Sequence, residues 1–335
     1  MKVPRGTLAE LVETLRRRVE LGYKRDVRRA ARSFGRDATT PWFPETGRVR
    51  NGDDATALAL ADRGGRNRPA EYLLFAAEGI RGELVAYDPW FAGFASVLAN
   101  VNDVAAMGGR PWAIVDVLFM GSGDNDRVLE GMAAASDAYG VPVVGGHTTR
   151  TSGPSMLAVS VVGRATRLLP SDAARPGHAL IAAVDLGGAF RLPGCFDAAT
   201  TASGSALRAK LEVLPRLAEA GLVHAAKDIS MAGLCGTTLM MLEAAGFGAT
   251  LDLTRVPAPP GVECERWLTA FPSYGFVLAV EPHAVGATCA QFDAVGVAAS
   301  VVGTIVETPT LELTSEGEVA TYWDLRQEPL TGLGA

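Results

Sequence analysis

From Pro89 to Gly109 the chain reads PWFAGFASVLANVNDVAAMGG, and Asp103 is the only charged side chain in that stretch. A run this apolar folds as a buried helix, and a lone carboxylate inside it needs a partner or a cation. At helical spacing Phe91, Phe94, Leu98, Val101 and Ala105 share one face, with Gly93, Ser96, Asn100, Asp103 and Met107 opposite. A solvent face would carry Lys, Glu or Arg. This one carries small residues, an amide and a carboxylate, which predicts something polar held against it. Gly108-Gly109 and then Pro111 stop the helix, so Asp103 sits in its last turns. The helix dipole is already negative there, a poor place for an acid unless it attracts a cation. The other reading is an Asp bonded to local hydroxyls or backbone, and the segment alone leaves both open.

The chain has 335 residues, room for two domains with cores of their own. Its 48% hydrophobic and 20% charged content, with mean hydropathy +0.17, describe a compact fold. A net charge of -6 gives no pull towards nucleic acid or anionic membrane. The basic exception, RRR at 16–18 and RDVRRAAR at 25–32, is interleaved with Glu10, Glu13, Glu20 and Asp26 and reads as a solvated amphipathic helix in preference to a phosphate-steering patch. No segment reaches the roughly 18 apolar residues of a membrane span, and no signal or transit peptide is evident. Cys195, Cys235, Cys264 and Cys289 form no CxxC motif, and no HExxH pair occurs. The expected location is the cytoplasm.

After the basic helix comes a loop, PWFPETGRVRNGDDA, over 41–55. Strands are expected over 72–77, 113–120 and 156–162, with a helix over 126–140 and an apolar run VPVV ending in a turn, Gly145-Gly146-His147-Thr148-Thr149. RLLPSDAARPG over 167–177 reads as a domain junction. Beyond it a helix is expected over 205–220, strands over 249–253, 275–280 and 301–306, and a terminal hairpin after Thr310. The division is 1–45, a basic helical segment; 46–168, a first domain; and 169–335, a second. Alternation of strands and helices gives α+β or α/β class. A second charge-poor segment, KDISMAGLCGTTLMMLEAAG, places Asp228 ahead of Ser230 as N-cap, with Gly233 and Gly236 in the first turns. Such glycines weaken a helix by up to ~1 kcal/mol each and are tolerable where a backbone or a phosphate comes close.

Asp53-Asp54, Asp103 and Asp228 thus stand out as scattered acids. Mg²⁺ binds through one or two carboxylates plus substrate phosphates, so their convergence on a nucleotide makes chemical sense. Gly145-Gly146 N–H groups and the Thr148 and Thr149 hydroxyls are candidate phosphate donors. No GxxxxGK[ST] loop is present.

In these motifs the sequence resembles the ATP-binding superfamily of aminoimidazole ribonucleotide (AIR) synthetase, which includes thiamine-monophosphate kinase, selenophosphate synthetase and the hydrogenase-maturation carbamoyl dehydratase. NGDDATAL at 51–58 is similar to the GDDAA loop of the thiamine-phosphate kinases, and NVNDVAAMGGRP at 100–111 to their NLSDLAAMGA element. YDPWFAG at 87–93 resembles the DPYDFG stretch of selenophosphate synthetases, and VVGGHTTRT at 143–151 the GGDT or GGHT turn. AARPGHALIAAVDLGG and DISMAGLCGTTLMMLE resemble the strand entry and the D-x-T-x-G-G-L element of the second domain. The similarities run in family order over about residues 51–305.

The resemblance implies a two-domain fold: an N-terminal mixed-sheet domain that pairs with a second copy in a shared barrel, and a C-terminal α/β sandwich domain. It also implies a homodimer with ATP and Mg²⁺ in a long cleft. By matching position, Asp53 or Asp54, Asp103 and Asp228 would be metal ligands, with Glu78 standing where relatives have an Asp. Asn100 and Gly145, Gly146, His147 and Thr148 would contact nucleotide, and Lys24 would reach the phosphates. His147 replaces the Asp of GGDT, as in selenophosphate synthetases, and removes a negative charge. DISMA lacks the second Asp of DISDG, no Cys precedes Cys195, and the chain ends TGLGA without a terminal Cys. These departures leave the acceptor substrate unassigned. The expected activity is ATP- and Mg-dependent phosphoryl transfer to, or activation of, an oxygen of a small metabolite, by a kinase or a synthetase; no residue stands out as general base. The alternative is a nucleotide-binding subunit without turnover.

Overall fold

The computed structural model describes residues 7–34, 37–39, 48–50, 52–60 and 71–334. The expected loop over 41–55 lies outside them at 41–47 and 51.

Instead of one basic helix, two open the chain: α1 (Leu8–Arg16) and α2 (Val19–Phe34). Thr7 and Glu10 form a capping box at the start of α1. Leu8, Leu11, Val12, Leu15 and Leu21 are buried against the core of the C-terminal half, so the segment is docked by its apolar face. A short ladder, β1 (Asp37–Thr39) with β2 (Arg48–Arg50), follows.

The N-terminal half contains β3 (Thr56–Leu60), β4 (Glu71–Ile80), α3 (Gly82–Tyr87), α4 (Pro89–Ala106), β5 (Arg110–Ser122), α5 (Asn125–Tyr139), β6 (Val143–Pro154) and β7 (Met156–Ala165). Its five-stranded sheet runs β3-β4-β7-β5-β6, with β5 and β6 parallel and the other pairs antiparallel. In the single chain this sheet is open, with β3 and β6 at its edges. Asp88 caps α4, accepting from Phe91 N at 3.0 Å, and Pro89 sits in its first turn. The helix is buried almost all round, and this corrects the wheel reading of its small-residue face. A Cβ on Gly93 would lie 2.0 Å from Val128 O, and one on Gly131 would lie 1.9 Å from Trp90 O. The two glycines let α4 and α5 cross backbone to backbone, so the upper part of that face packs on a helix.

The C-terminal half contains β8 (Ala179–Val184), β9 (Ala189–Leu192), β10 (Cys195–Asp197), α6 (Gly204–Leu211), α7 (Val213–Glu219), β11 (Ala225–Asp228), α8 (Gly233–Ala245), β12 (Gly248–Asp252), α9 (Cys264–Leu268), β13 (Phe271–Pro272), β14 (Gly275–Val280), α10 (Val285–Asp293), β15 (Ala298–Val306), β16 (Thr310–Ser315) and β17 (Glu318–Asp324). A seven-stranded sheet runs β11-β14-β8-β15-β12-β16-β17, and a small one runs β13-β10-β9. β8 and β14 are buried at every residue because the core closes over both faces of the large sheet. The helix expected over 205–220 is two helices, since Pro215 has no N–H to continue the ladder from the Leu211 carbonyl. The terminal hairpin is β16 and β17. No helix among the described residues is long and apolar enough to cross a membrane.

Candidate functional site: a buried acid cluster between the halves

Three elements distant in sequence deliver one carboxylate each. Asp54 comes from the loop ahead of β3, Asp103 from the last turn of α4, and Asp228 from the end of β11. Each offers an oxygen, and these oxygens all lie within 4.8 Å of one another. Asp103 and Asp228 are buried, and the Asp54 side chain is 5% exposed. The halves are fastened beside them: Asn102, next to Asp103 on α4, donates to the Ser273 carbonyl at 2.9 Å.

Like charges this close out of water oppose ionisation. Burial pushes the Asp54 carboxyl up to about 7, against the pull of Lys227, while Asp228 and Asp53 add to the rise. Burial likewise raises Asp103 well above the usual carboxylate range, and Asp228, Glu78 and Asp54 add to it. Asp228 is raised by burial too, with Lys227 and Lys24 drawing it back.

Lys227, which the sequence reading passed over, is the internal counter-charge. Its buried ammonium donates to Asp54 Oδ1 and lies 3.5 Å from Asp53 Oδ1. Burial pulls Lys227 down, but Asp54, Asp53 and Asp228 outweigh it and hold the ammonium above the usual Lys range. The available signal was a charge beside Asp228 in an otherwise apolar strand, AAKD.

Asp53, offered in the sequence as an alternative to Asp54, stands outside the trio. Its oxygens accept from Ser171 N at 2.7 Å and Ser171 Oγ at 2.8 Å, tying the loop to the segment between the halves. Glu78, on β4, does not join the trio: its side chain is exposed, yet desolvation by the protein around it raises its carboxyl and Lys24 pulls it down. Lys24, half-buried on α2, thus acts electrostatically on both Glu78 and Asp228. Asn100 donates to the Ser96 carbonyl at 2.8 Å, leaving its Oδ1 buried and unpartnered, as are Asn102 Oδ1 and Ser230 Oγ. Gly145, Gly146, His147 and Thr148 do not form a turn. They extend along edge strand β6, exposed, with His147 in register with Val117.

The glycines of the second charge-poor segment have a packing cause. Gly233 has φ +67, and a Cβ there would lie 2.0 Å from Leu268 O. The helix therefore begins at Gly233 after Ala232, and Ser230, expected as N-cap, does not cap it.

The donor set suits a hard cation. Six-coordinate Mg²⁺ with bonds of about 2.1 Å spaces its ligands about 3 to 4.2 Å apart, which small carboxylate rotations reach from here. Buried, unpartnered acceptor oxygens on Asn100 and Asn102, three and one residues before Asp103 on the same helix, add to the demand for positive charge or donors.

Comparison with known proteins agrees with this architecture. The family description "AIR synthase related protein, N-terminal domain" matches residues 52–165, and "AIR synthase related protein, C-terminal domain" matches 180–316. An uncharacterized protein of Synechocystis sp. is 42% identical over 328 residues, covering 97% of this chain and 98% of its own length. An uncharacterized protein of Methanocaldococcus jannaschii is 34% identical over 248 residues, covering 72% and 76%. Among solved structures, Thermotoga maritima PurL complexed with ATP superposes with a TM-score of 0.74 at 23% identity. That match covers 98% of this chain and 52% of the other, so the chain spans about half the length of PurL. With both halves matched in order and a full-length relative this similar, the chain belongs to the AIR synthase-related family, and its fold is the two-domain one of that family.

Proposed function

We propose that the chain binds ATP with Mg²⁺ at Asp54, Asp103 and Asp228 and uses the γ-phosphoryl group to phosphorylate or activate an oxygen of a small metabolite. The observation that carries this reading is the convergence of three buried carboxylates whose oxygens lie within 4.8 Å. The ATP complex of PurL, a protein of the same fold, supports it. Bound there, Mg²⁺ would supply neutralisation of triphosphate charge. The chain's own residues hold and orient: Asp54, Asp103 and Asp228 as ligands, and Lys24 and Lys227 as balancing charge. Phosphoryl transfer asks for positioning more than covalent chemistry, which fits an acid cluster with no evident general base beside it among the described residues.

The same reading includes a homodimer. One face of the five-stranded sheet packs on α4 and, among the described residues, the other is left uncovered and apolar, with Phe75, Val115 and Met156 each more than 40% exposed (43%, 45% and 45%). A second copy is the occupant we assign to it. His147 lies in register on that side of β6, which would bring the GGHT segment to the dimer interface.

A second reading, a nucleotide-binding subunit without turnover, is favoured by one observation: Lys227 already occupies Asp54, a place a cation would otherwise take. Thermal shift with ATP and Mg²⁺ together, against each alone, tests binding under both readings. Loss of ATP in a coupled assay with metabolite pools separates them. A melting temperature indifferent to Mg-ATP contradicts both.

A further inference from the structure

Glu243 is the only charged side chain in the sequence of α8, and it is buried in the last turn of that helix. An acid there runs against the helix dipole and is costly out of water, so it needs donors of its own. They come from one short segment beyond β17. Thr331 donates to Glu243 Oε2 from its backbone N at 2.8 Å and from its hydroxyl at 2.5 Å, and Gly332 N donates to Oε1 at 3.0 Å. Thr331 Oγ1 in turn accepts from Leu333 N at 3.2 Å. Both carboxylate oxygens are thus taken up by the same piece of chain, and this acid serves as an anchor.

From the anchor the segment reaches two outlying parts of the acid site. Leu333 is buried and lies on Gly52, where φ is +103 and a Cβ would collide with Leu333 Cδ1. Gly52 leads directly into Asp53 and Asp54. On α2, Arg28 Nε donates to the Leu330 carbonyl at 2.9 Å, and Arg25 pairs with Glu328 at 3.0 Å. Arg25 and Arg28 follow Lys24 within about one helical turn.

We propose that residues 328–333 are a positioning strap for the acid cluster: anchored on Glu243, they hold the loop of Asp54 and the Lys24 turn of α2 in place against Asp228. Glu243, Thr331 and Leu333 are then positioning residues. The loop has other ties, Asp53 to Ser171 and Asp54 to Lys227 and to Asp228 N at 3.2 Å. Those on Asp54 use the same carboxylate that a cation would take, whereas the Leu333 contact uses the backbone at Gly52 and persists when the ligand binds. The consequence for binding rests on the Mg-ATP reading above; the strap itself is read without any ligand.

Amide hydrogen exchange of the full chain, free of ligand, tests the strap. Leu333→Ala trims the contact with Gly52 and leaves the Glu243 anchor in place, so exchange over 52–55 should quicken at least about tenfold while β14 is unchanged. Glu243→Gln, which sets an amide donor against N–H groups, should quicken 24–28 as well. Mn²⁺ binding in the presence of a nonhydrolysable ATP analogue reads the consequence. Leu333→Ala should weaken it about tenfold, Leu333→Met should bind like the parent, and in an Asp54→Asn background Leu333→Ala should change it less than about twofold, because the strap acts through Asp54. Exchange over 52–55 indifferent to Leu333→Ala, or the same fold loss with and without Asp54, would overturn the strap. A parent chain that binds no Mn²⁺ with the nucleotide would overturn the proposed function instead, and the exchange result would still decide the strap.

Discussion

The ammonium of Lys227 donates to the Asp54 carboxylate inside a cluster that also holds Asp103 and Asp228. Lys227 is therefore the charge that keeps three buried acids tolerable in the free protein. Replacing it by Met keeps an unbranched side chain, one atom shorter, and removes the charge. In EDTA at about pH 8 the Lys227→Met protein should lose about 3 kcal/mol in urea unfolding, the scale of breaking a buried ion pair. Mg²⁺ should restore more stability to it than to the parent. Equal Mg²⁺ effects in the two proteins would show that Lys227 and the cation do not share a role.

The raised carboxyls set a pH dependence with a definite sign. Asp54 ionises at about 7 in the folded chain against an ordinary 3.8, so between these values the folded state holds a proton the unfolded chain has released. The folded state is then favoured by protons, and stability falls as pH rises from about 4 to about 7. Asp103 and Asp228, raised by burial first, act in the same direction. Calorimetry in EDTA should show the melting temperature dropping across this range, and Mg²⁺ should stabilise more at about pH 8 than at about pH 6. A flat profile in EDTA would mean that the acids are not held protonated.

Gly131 tests the helix crossing that aims Asp103. A methyl there meets Trp90 O at 1.9 Å, with backbone on both sides and no flexible side chain to yield. Gly131→Ala should cost about 1 to 3 kcal/mol by urea denaturation even though Ala favours helix. A gain in stability would show that α4 and α5 do not pack this closely.

The bare sheet face gives an oligomer test. Val115 and Ser160 are cross-strand partners on it, and Phe119 pairs with Met156. Val115→Asp and Met156→Lys should convert a dimer to a folded monomer in light scattering coupled to size exclusion. A wild-type monomer, or variants that remain dimeric, would reassign this surface.

How much of this could be read from the sequence depended on what each residue touches. Asp103 was legible because a lone acid in an apolar helix has few reasons to exist, and the motif order added Asp54 and Asp228. The Gly93 face was misread because a helix crossing and a bound ligand both ask for small residues, and periodicity does not distinguish them. Gly233 posed the same ambiguity, resolved by its φ of +67 and the close Leu268 carbonyl. GGHTT looked like a turn by composition, but pairing with β5 draws it into an extended strand. Asp53 and Asp54 were indistinguishable as neighbours, and only the Ser171 partner separates them. Lys227 was hidden because its partner, Asp54, comes from a loop far away in the chain that docks beside β11 only in the fold.

Counting bound Mn²⁺ by electron paramagnetic resonance, with and without a nonhydrolysable ATP analogue, probes the acid cluster most directly. The wild-type protein should bind Mn²⁺ more tightly when the analogue is present, and Asp103→Asn should weaken this at least about tenfold while unfolding at an unchanged or higher temperature. Mn²⁺ binding that ignores the nucleotide, or that survives Asp103→Asn intact, would show that these three carboxylates do not hold a metal–triphosphate.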